Sequence, residues 1–209
     1  QIFGEVTEEQ GLSFMFAKMD GIVGMAFASI AVDNVTPLFD NMVNQSLVEK
    51  NMFSFYLSQT AGTTDSAMLL GGSDPKYYTG PMTYIPLTNK TYWEIKIDDV
   101  KVGGTSYGGC TSDICHAAVD TGTSLIAGPI KDLAPIIDIT HVASDCSNID
   151  SLPNVDIVLN SKAFTLTPKD YVINVTAFGQ SECIAGFLPI NLPPRLGKFW
   201  ILGDVFLAK

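Results

Sequence analysis

Charge is scarce in this chain, and positive charge most of all. Only 16% of the 209 residues are charged, with twelve Lys and Arg against twenty-two Asp and Glu, so the formal net charge is −10 at pH 7. Nucleic acid and anionic membranes repel such a surface, and neither is an expected partner. Acidity is compatible with work at low pH, where protonation relieves self-repulsion, though many soluble proteins are simply acidic. No apolar run approaches the ~20 residues that a membrane span needs. The chain opens on Gln1 with no initiator Met or basic leader, which reads as a processed start. Cysteines number four and histidines two. His116 and His141 each lie near a cysteine, yet there is no Cys-x-x-Cys knuckle and the spacings are irregular. That weighs for disulfides over zinc and leaves three pairings open. No metal or cofactor is expected. Gly103-Gly104 and Gly108-Gly109 lack the following Lys-Ser/Thr of a phosphate loop and read as a hairpin.

Apolar residues are plentiful at 46%, and eighteen glycines with eleven prolines imply many turns, as in an all-β protein with short helices. Gln1 to Phe16 reads as short strands broken by Gly4 and Gly11. A helix is predicted after Thr36, with Thr36 as cap, Pro37 in the first turn, and Leu38, Phe39, Met42, Val43 and Leu47 as its apolar stripe. Phe53 to Leu57 and Met68 to Leu70 read as buried strands. Trp93 to Asp98 alternates like a half-exposed strand. Pro129 suits a helix start, with Leu133, Ile136 and Ile137 as the apolar face and Pro135 keeping the helix short or kinked. Val155–Leu159 and Ala163–Thr167 form a hairpin around Asn160-Ser161-Lys162. Leu188-Pro189 and Leu192-Pro193-Pro194 read as loop, and Phe199 to Leu207 as a last strand.

The organising stretch is Ala117-Ala118-Val119-Asp120-Thr121-Gly122-Thr123-Ser124-Leu125-Ile126-Ala127-Gly128-Pro129. An apolar strand runs into a carboxylate, which is costly to bury unless neighbours hydrogen-bond it. Gly122 lets the backbone bend close, so the amides of Gly122, Thr123 and Ser124 can point at Asp120. The hydroxyls of Thr121, Thr123 and Ser124 both donate and accept. A carboxylate held in this way is suited to acid–base chemistry on a bound water. Ser124 lacks the closing Gly of a nucleophile elbow, which argues against a serine hydrolase. Taken alone, Asp120-Thr121-Gly122 fits a turn-capping Asp more readily than a catalytic one.

Company changes that balance. Asp120-Thr121-Gly122-Thr123-Ser124 after apolar residues, Asp20-Gly21-Ile22-Val23-Gly24, Tyr92-Trp93 and Trp200-Ile201-Leu202-Gly203-Asp204 together resemble the pepsin-like aspartic proteases along nearly the whole chain. The resemblance implies a bilobal all-β acid protease fold, with residues 1–78 ending the N-terminal lobe and 79–209 making most of the C-terminal lobe. It implies Asp120 as one half of a catalytic dyad. Thr121 would hydrogen-bond across to the other lobe's loop, and Gly122 and Thr123 would meet substrate backbone. Ile22, Tyr92, Ala118, Ala127 and Ile190 would line substrate pockets, though Ile190 reads equally as plain core. Cys110–Cys115 and Cys146–Cys183 would be the disulfides. Expected partners are protein and peptide substrates, pepstatin-type inhibitors, and a light chain cut from the same zymogen.

An internal echo points the same way. Ile22-Val23-Gly24-Met25-Ala26-Phe27 resembles Ile201-Leu202-Gly203-Asp204-Val205-Phe206, as two related lobes would require. Carrying the spacing from Asp120 to Gly203 back from Gly24 places the partner aspartate ahead of Gln1. The family's first Asp-Thr-Gly and final strand pair are not among these residues, and Pro129 to Cys146 is short for the family. The alternative function is a peptide-binding relative without activity, which a substituted Asp in the missing motif would mark. Of the sequons at Asn34, Asn44, Asn89 and Asn174, Asn89 in the polar Thr88–Thr91 turn is the glycosylation candidate, while Asn44 falls in a helix. Disulfides and sequons favour a lysosomal or other acidic endosomal compartment, with secretion as second choice.

Overall fold

Small apolar side chains decide the centre of the molecule. In a computed structural model, which describes residues 1–7, 19–59, 65–107, 109–177, 179–193 and 196–209, most of the strands lie beyond residue 85. They are β3 (Leu87–Lys90), β4 (Trp93–Ile97), β5 (Asp99–Val102), β6 (Thr105–Tyr107), β7 (Cys115–Val119), β8 (Ile126–Pro129), β9 (Val155–Leu159), β10 (Lys162–Leu166), β11 (Val172–Ala177), β12 (Gln180–Ala185), β13 (Phe187–Ile190) and β14 (Lys198–Leu202). Ahead of them, β1 (Phe53–Tyr56) and β2 (Ala67–Leu70) form a separate antiparallel pair. Four helices are described: α1 (Leu38–Asn44), α2 (Ile130–Ile139), α3 (Pro168–Tyr171) and α4 (Asp204–Leu207). The architecture is all-β with short helices.

A six-stranded sheet of order β13-β8-β14-β7-β4-β3 carries the site. Its middle strands are largely apolar on both faces: Ala117 of β7, Ile126 of β8, and Trp200 and Leu202 of β14 are fully buried on one, and Ala118, Ala127 and Phe199 are buried on the other. Such strands pair where both faces are covered. Accordingly β14 runs parallel to β7, setting Trp200 against Ala117, and antiparallel to β8. A four-stranded sheet, β10-β9-β5-β6, contributes Val100, Val155, Ile157 and Leu166 to the same core, and α2 adds Leu133 and Ile136. Each fully buried Ile or Leu contributes roughly 1.5–3 kcal/mol. Gly128 has no room for a side chain, because a Cβ there would lie 2.7 Å from the Trp200 ring.

Several expected elements form as read, and others do not. The β9–β10 hairpin turns at Asn160 and Ser161, both at positive φ (48° and 65°), which gives the right-twisted two-residue turn that hairpins favour. Gly103 and Gly104 are themselves the β5–β6 turn. Helix α2 keeps Pro135 inside its ten residues. In α1 the N-cap is Pro37, not Thr36, and no side chain caps the helix, because Pro37 is still extended (ψ 154°). Leu47 lies past the helix and is exposed. The β1–β2 strands are not buried: Phe55, Met68 and Leu70 are exposed, since this pair lacks a second sheet over that face. Leu188-Pro189 is strand β13 rather than loop, an edge position where a missing N–H is tolerated. The last strand stops at Leu202, and α4 follows Gly203. Asn89 lies in strand β3 beside a bulge, exposed, and not in the turn. The strands expected within Gln1–Phe16 are absent from residues 1–7, and the remainder lies outside the described residues, as do Gly108 and Pro194.

Candidate active site

The chain delivers Asp120 one residue beyond the end of β7, where its N–H donates to Leu202 O (3.1 Å) on neighbouring β14. That bond holds the backbone as the strand gives way to the loop 120–125. The carboxylate is then met from within the loop. The Gly122 amide donates to Oδ1 at 2.9 Å and the Thr123 hydroxyl to Oδ2 at 2.6 Å. Charge-assisted bonds of this kind fix a carboxylate's orientation. Of the three amides expected to point inward, Gly122 alone is bonded to the carboxylate. The Thr123 N–H reaches the Asp120 main-chain carbonyl (3.4 Å), and Ser124 contributes its own carbonyl elsewhere. Thr121, Gly122 and Ser124 are exposed. An open carboxylate on a rigid strand end can accept and return a proton.

The loop rests on the chain's last elements. Thr123 O accepts the Asp204 N–H (2.8 Å) and Ser124 O accepts the Val205 N–H (3.1 Å), so the first turn of α4 is tied to the Asp120 loop. Gly203 makes this contact sterically feasible: a Cβ there would stand 2.1 Å from Thr123 O and 2.4 Å from Leu125 O. Asp204 is the residue that sequence reasoning missed. Burial, and secondarily the negative charge of Asp120, raise its carboxyl above the ordinary aspartate value. Its Oδ1 is buried with no hydrogen-bond partner. The signal was an Asp directly after an apolar run and a glycine, hidden because the whole run read as one strand.

The expected pocket residues are spread over five segments. Ala118 and Ala127 sit on β7 and β8, each in register with Ile201 of the intervening β14. They are 5% and 1% exposed, so neither presents open surface. Ile190 ends β13 opposite Pro129. Tyr92, in the β3–β4 turn, is exposed, with its ring 5.9 Å from that of Phe199. Ile22 is exposed in the irregular segment ahead of α1. Trp93 ties that segment to β4 by donating from Nε1 to Met25 O (2.8 Å) and packing on Phe27 and Phe53. Two surface grooves, one lined by Ser144, Asp145, Gln180, Ser181 and Glu182 and the other by residues of β1, β2 and 73–82, lie away from the Asp120 loop. Both disulfides form, Cys110–Cys115 and Cys146–Cys183. Among the described residues no cluster of His, Cys, Asp or Glu could hold a metal, and no helix is long and apolar enough to cross a membrane.

Comparison with known proteins gives the family. A family model for the eukaryotic aspartyl proteases matches residues 1–209. The chain belongs to that family. Among its relatives, the cathepsin D of Dictyostelium discoideum is 49% identical over 216 residues, covering all of this chain and 56% of that protein. Cathepsin D of Gallus gallus is 45% identical and that of Homo sapiens 40%, again over the whole chain and 54% and 52% of those proteins. This aspartyl protease chain thus spans about half the length of the curated relatives it matches.

Proposed function

We propose that the whole protein is a cathepsin D-like aspartic endopeptidase that hydrolyses peptide bonds in proteins at acidic pH, with Asp120 supplying one of its two catalytic carboxylates. The observation that supports this reading most directly is the grip on Asp120: one amide and one hydroxyl aim its two oxygens, while the loop around it stays open to solvent. The second carboxylate comes from the first Asp-Thr-Gly motif, carried by the N-terminal lobe on a light chain of the same zymogen. Residues 1–78 complete that lobe and 79–209 form most of the C-terminal one. Two carboxylates a few ångströms apart cannot both ionise, so they share a proton; the aspartic-protease dyad is the standard example of this coupling. The ionised member draws a proton from a bound water as that water attacks the peptide carbonyl. The protonated member hydrogen-bonds the developing oxyanion, and a proton then passes to the leaving nitrogen. Gly122 and Thr123 contact substrate backbone, Thr121 bonds across to the partner loop, and Ile22, Tyr92 and Ile190 favour bulky apolar side chains beside the cut. A lysosomal or other acidic compartment, and a glycan at Asn89, fit the same reading.

The test is cleavage of denatured globin by the full-length, processed protein at acidic pH, with and without pepstatin. Pepstatin-sensitive cleavage is expected. Absence of cleavage from well-folded, fully processed protein would overturn the enzyme reading and leave a peptide-binding relative in its place.

A further inference from the structure

The β3–β4 hairpin turns on two residues, Thr91 and Tyr92, between the paired Lys90 and Trp93. Two-residue turns that match the twist of their strands need positive φ at one or both positions. Neither Thr91 nor Tyr92 takes it, as expected of a β-branched and a bulky side chain. The ladder below the turn is also interrupted, its register shifting between Leu87 and Asn89. The turn is held instead by a segment distant in sequence. Phe27 N–H donates to Thr91 O at 3.1 Å, and the Ser29 hydroxyl donates to Lys90 O at 2.6 Å. The Trp93 indole in turn donates to Met25 O at 2.8 Å, and its ring packs on Phe27 with centroids 4.7 Å apart. Residues 25–29 therefore grip positions 90, 91 and 93, on both sides of Tyr92.

Tyr92 itself is 43% exposed, with its ring 5.9 Å from that of Phe199 on β14. Phe199 is in register with His116, on the face of the sheet that also holds Ala118, and β7 runs on from there to Asp120. We propose that Ser29 and Trp93 are positioning residues for Tyr92: by fixing the turn on either side of it, they keep its ring in one place against Phe199, where it selects a bulky apolar side chain of the substrate. This rests on the reading of Tyr92 as a pocket residue, and adds that residues 25–29 set the selectivity without lining the pocket. The physical reason is preorganisation. A ring already held in its binding position loses less freedom when substrate arrives than a ring on a loose turn.

The test is steady-state cleavage at acidic pH by the full-length, processed protein, using peptide pairs that carry Phe or Ala at each position near the cut. Wild type is compared with Tyr92→Ala, Trp93→Phe, Ser29→Ala, Ser29→Thr and the Trp93→Phe/Tyr92→Ala double variant. At the position that Tyr92 reads, Tyr92→Ala should cut the preference for Phe by roughly 10-fold or more. Trp93→Phe keeps a ring for Phe27 and Phe53 but loses the indole donor, and Ser29→Ala loses the hydroxyl. Each should raise KM for the Phe peptide by about 3–10-fold, the equivalent of one hydrogen bond, with kcat within about twofold and the Ala peptide little changed. Ser29→Thr keeps the donor and should behave as wild type. In the double variant the Trp93 change should add nothing to the loss caused by Tyr92→Ala. A lowered Tm with wild-type KM and kcat, or losses that add in the double variant, would mark a merely structural role and overturn the inference. Ser29 is exposed, so its variants should fold even where Trp93→Phe does not, and wild-type selectivity in folded Ser29→Ala is equally a refutation. Cleavage by wild type with no effect of Tyr92→Ala removes the pocket reading of Tyr92 and the inference with it. Absence of cleavage by wild type removes the enzyme reading first.

Discussion

Gly203→Ala isolates the contact on which the position of Asp120 depends. A Cβ at 203 would stand 2.1 Å from Thr123 O and 2.4 Å from Leu125 O, and both obstacles are backbone. Carbon and oxygen in contact need roughly 3.2 Å, so about an ångström of movement is required, and no flexible side chain can absorb it. Either β14 and α4 retreat or the Asp120 loop does, and both routes stretch the bonds from Asp204 N to Thr123 O and from Val205 N to Ser124 O (2.8 and 3.1 Å). Overpacking of this kind costs about 1–3 kcal/mol. Two weakened hydrogen bonds add about 1 kcal/mol each. The expected total is about 3–5 kcal/mol, which for a domain of this size lowers Tm by roughly 6–20 °C. A displacement of about 1 Å at a reacting group costs on the order of 100-fold in rate. The assay is thermal unfolding of the full-length protein together with cleavage kinetics. Gly72→Ala serves as control, because nothing lies within 4 Å of its added Cβ, and it should change Tm by less than about 2 °C. A Gly203→Ala protein indistinguishable from that control would refute the steric argument.

Other expectations concern protons and covalent links. Asp204 is raised in the folded state by burial and by Asp120, so ionising it opposes folding as pH climbs from the unfolded carboxylate range through its higher folded value. Asp204→Asn should therefore gain Tm relative to wild type at pH 7 and lose that gain at pH 3; a pH-independent difference contradicts the assignment. Asp170 behaves oppositely. Burial alone would raise it, but the Thr167 hydroxyl, Lys209 and the Thr167 amide together outweigh burial and hold it below its ordinary value. Its contribution is present above the unfolded carboxylate range and disappears as pH falls through the folded value. Asp170→Ala, which also opens the capping box of α3, should cost about 1–2 kcal/mol at pH 6 and clearly less at pH 2.5, as read by chemical denaturation. Cys146–Cys183 spans 37 positions and Cys110–Cys115 only 5. On chain entropy alone, replacing the first pair by Ser costs about 4 kcal/mol and the second about 2, and the reverse order would contradict that account.

Much of the site could be read from residues 117–129, because a carboxylate between an apolar strand and a Gly-hydroxyl turn has few ways to be satisfied. Where the structure departs from the sequence reading, long-range contacts decided the outcome. Phe199 to Leu207 is continuously apolar and reads as one strand, yet the carbonyls of Thr123 and Ser124 capture the amides of Asp204 and Val205 and start a helix there. Pro189 looked like a loop residue because a lone strand cannot use it, but on the outer strand β13 its missing N–H costs little. The β11–β12 hairpin escaped notice because Asn174, Thr176, Gln180, Ser181 and Glu182 make it polar; the disulfide from Cys183 to Cys146 and the bond from its amide to Ser144 O anchor it. Asp204 was visible as a residue but not as a neighbour of Asp120, since that proximity exists only once β14 lies beside β7.

The central claim is that Asp120 is one of two carboxylates activating water, and Asp120→Asn in the full-length protein tests it most directly. Asn preserves size, its Oδ1 still accepts from the Gly122 amide and its Nδ2 can donate to the Thr123 hydroxyl oxygen, so Tm should stay within a few degrees of wild type. The account predicts that pepstatin-sensitive globin cleavage at acidic pH then falls by about 10³-fold or more. A folded Asn variant that cleaves within a few-fold of wild type would show that Asp120 shapes a turn and takes no part in the chemistry.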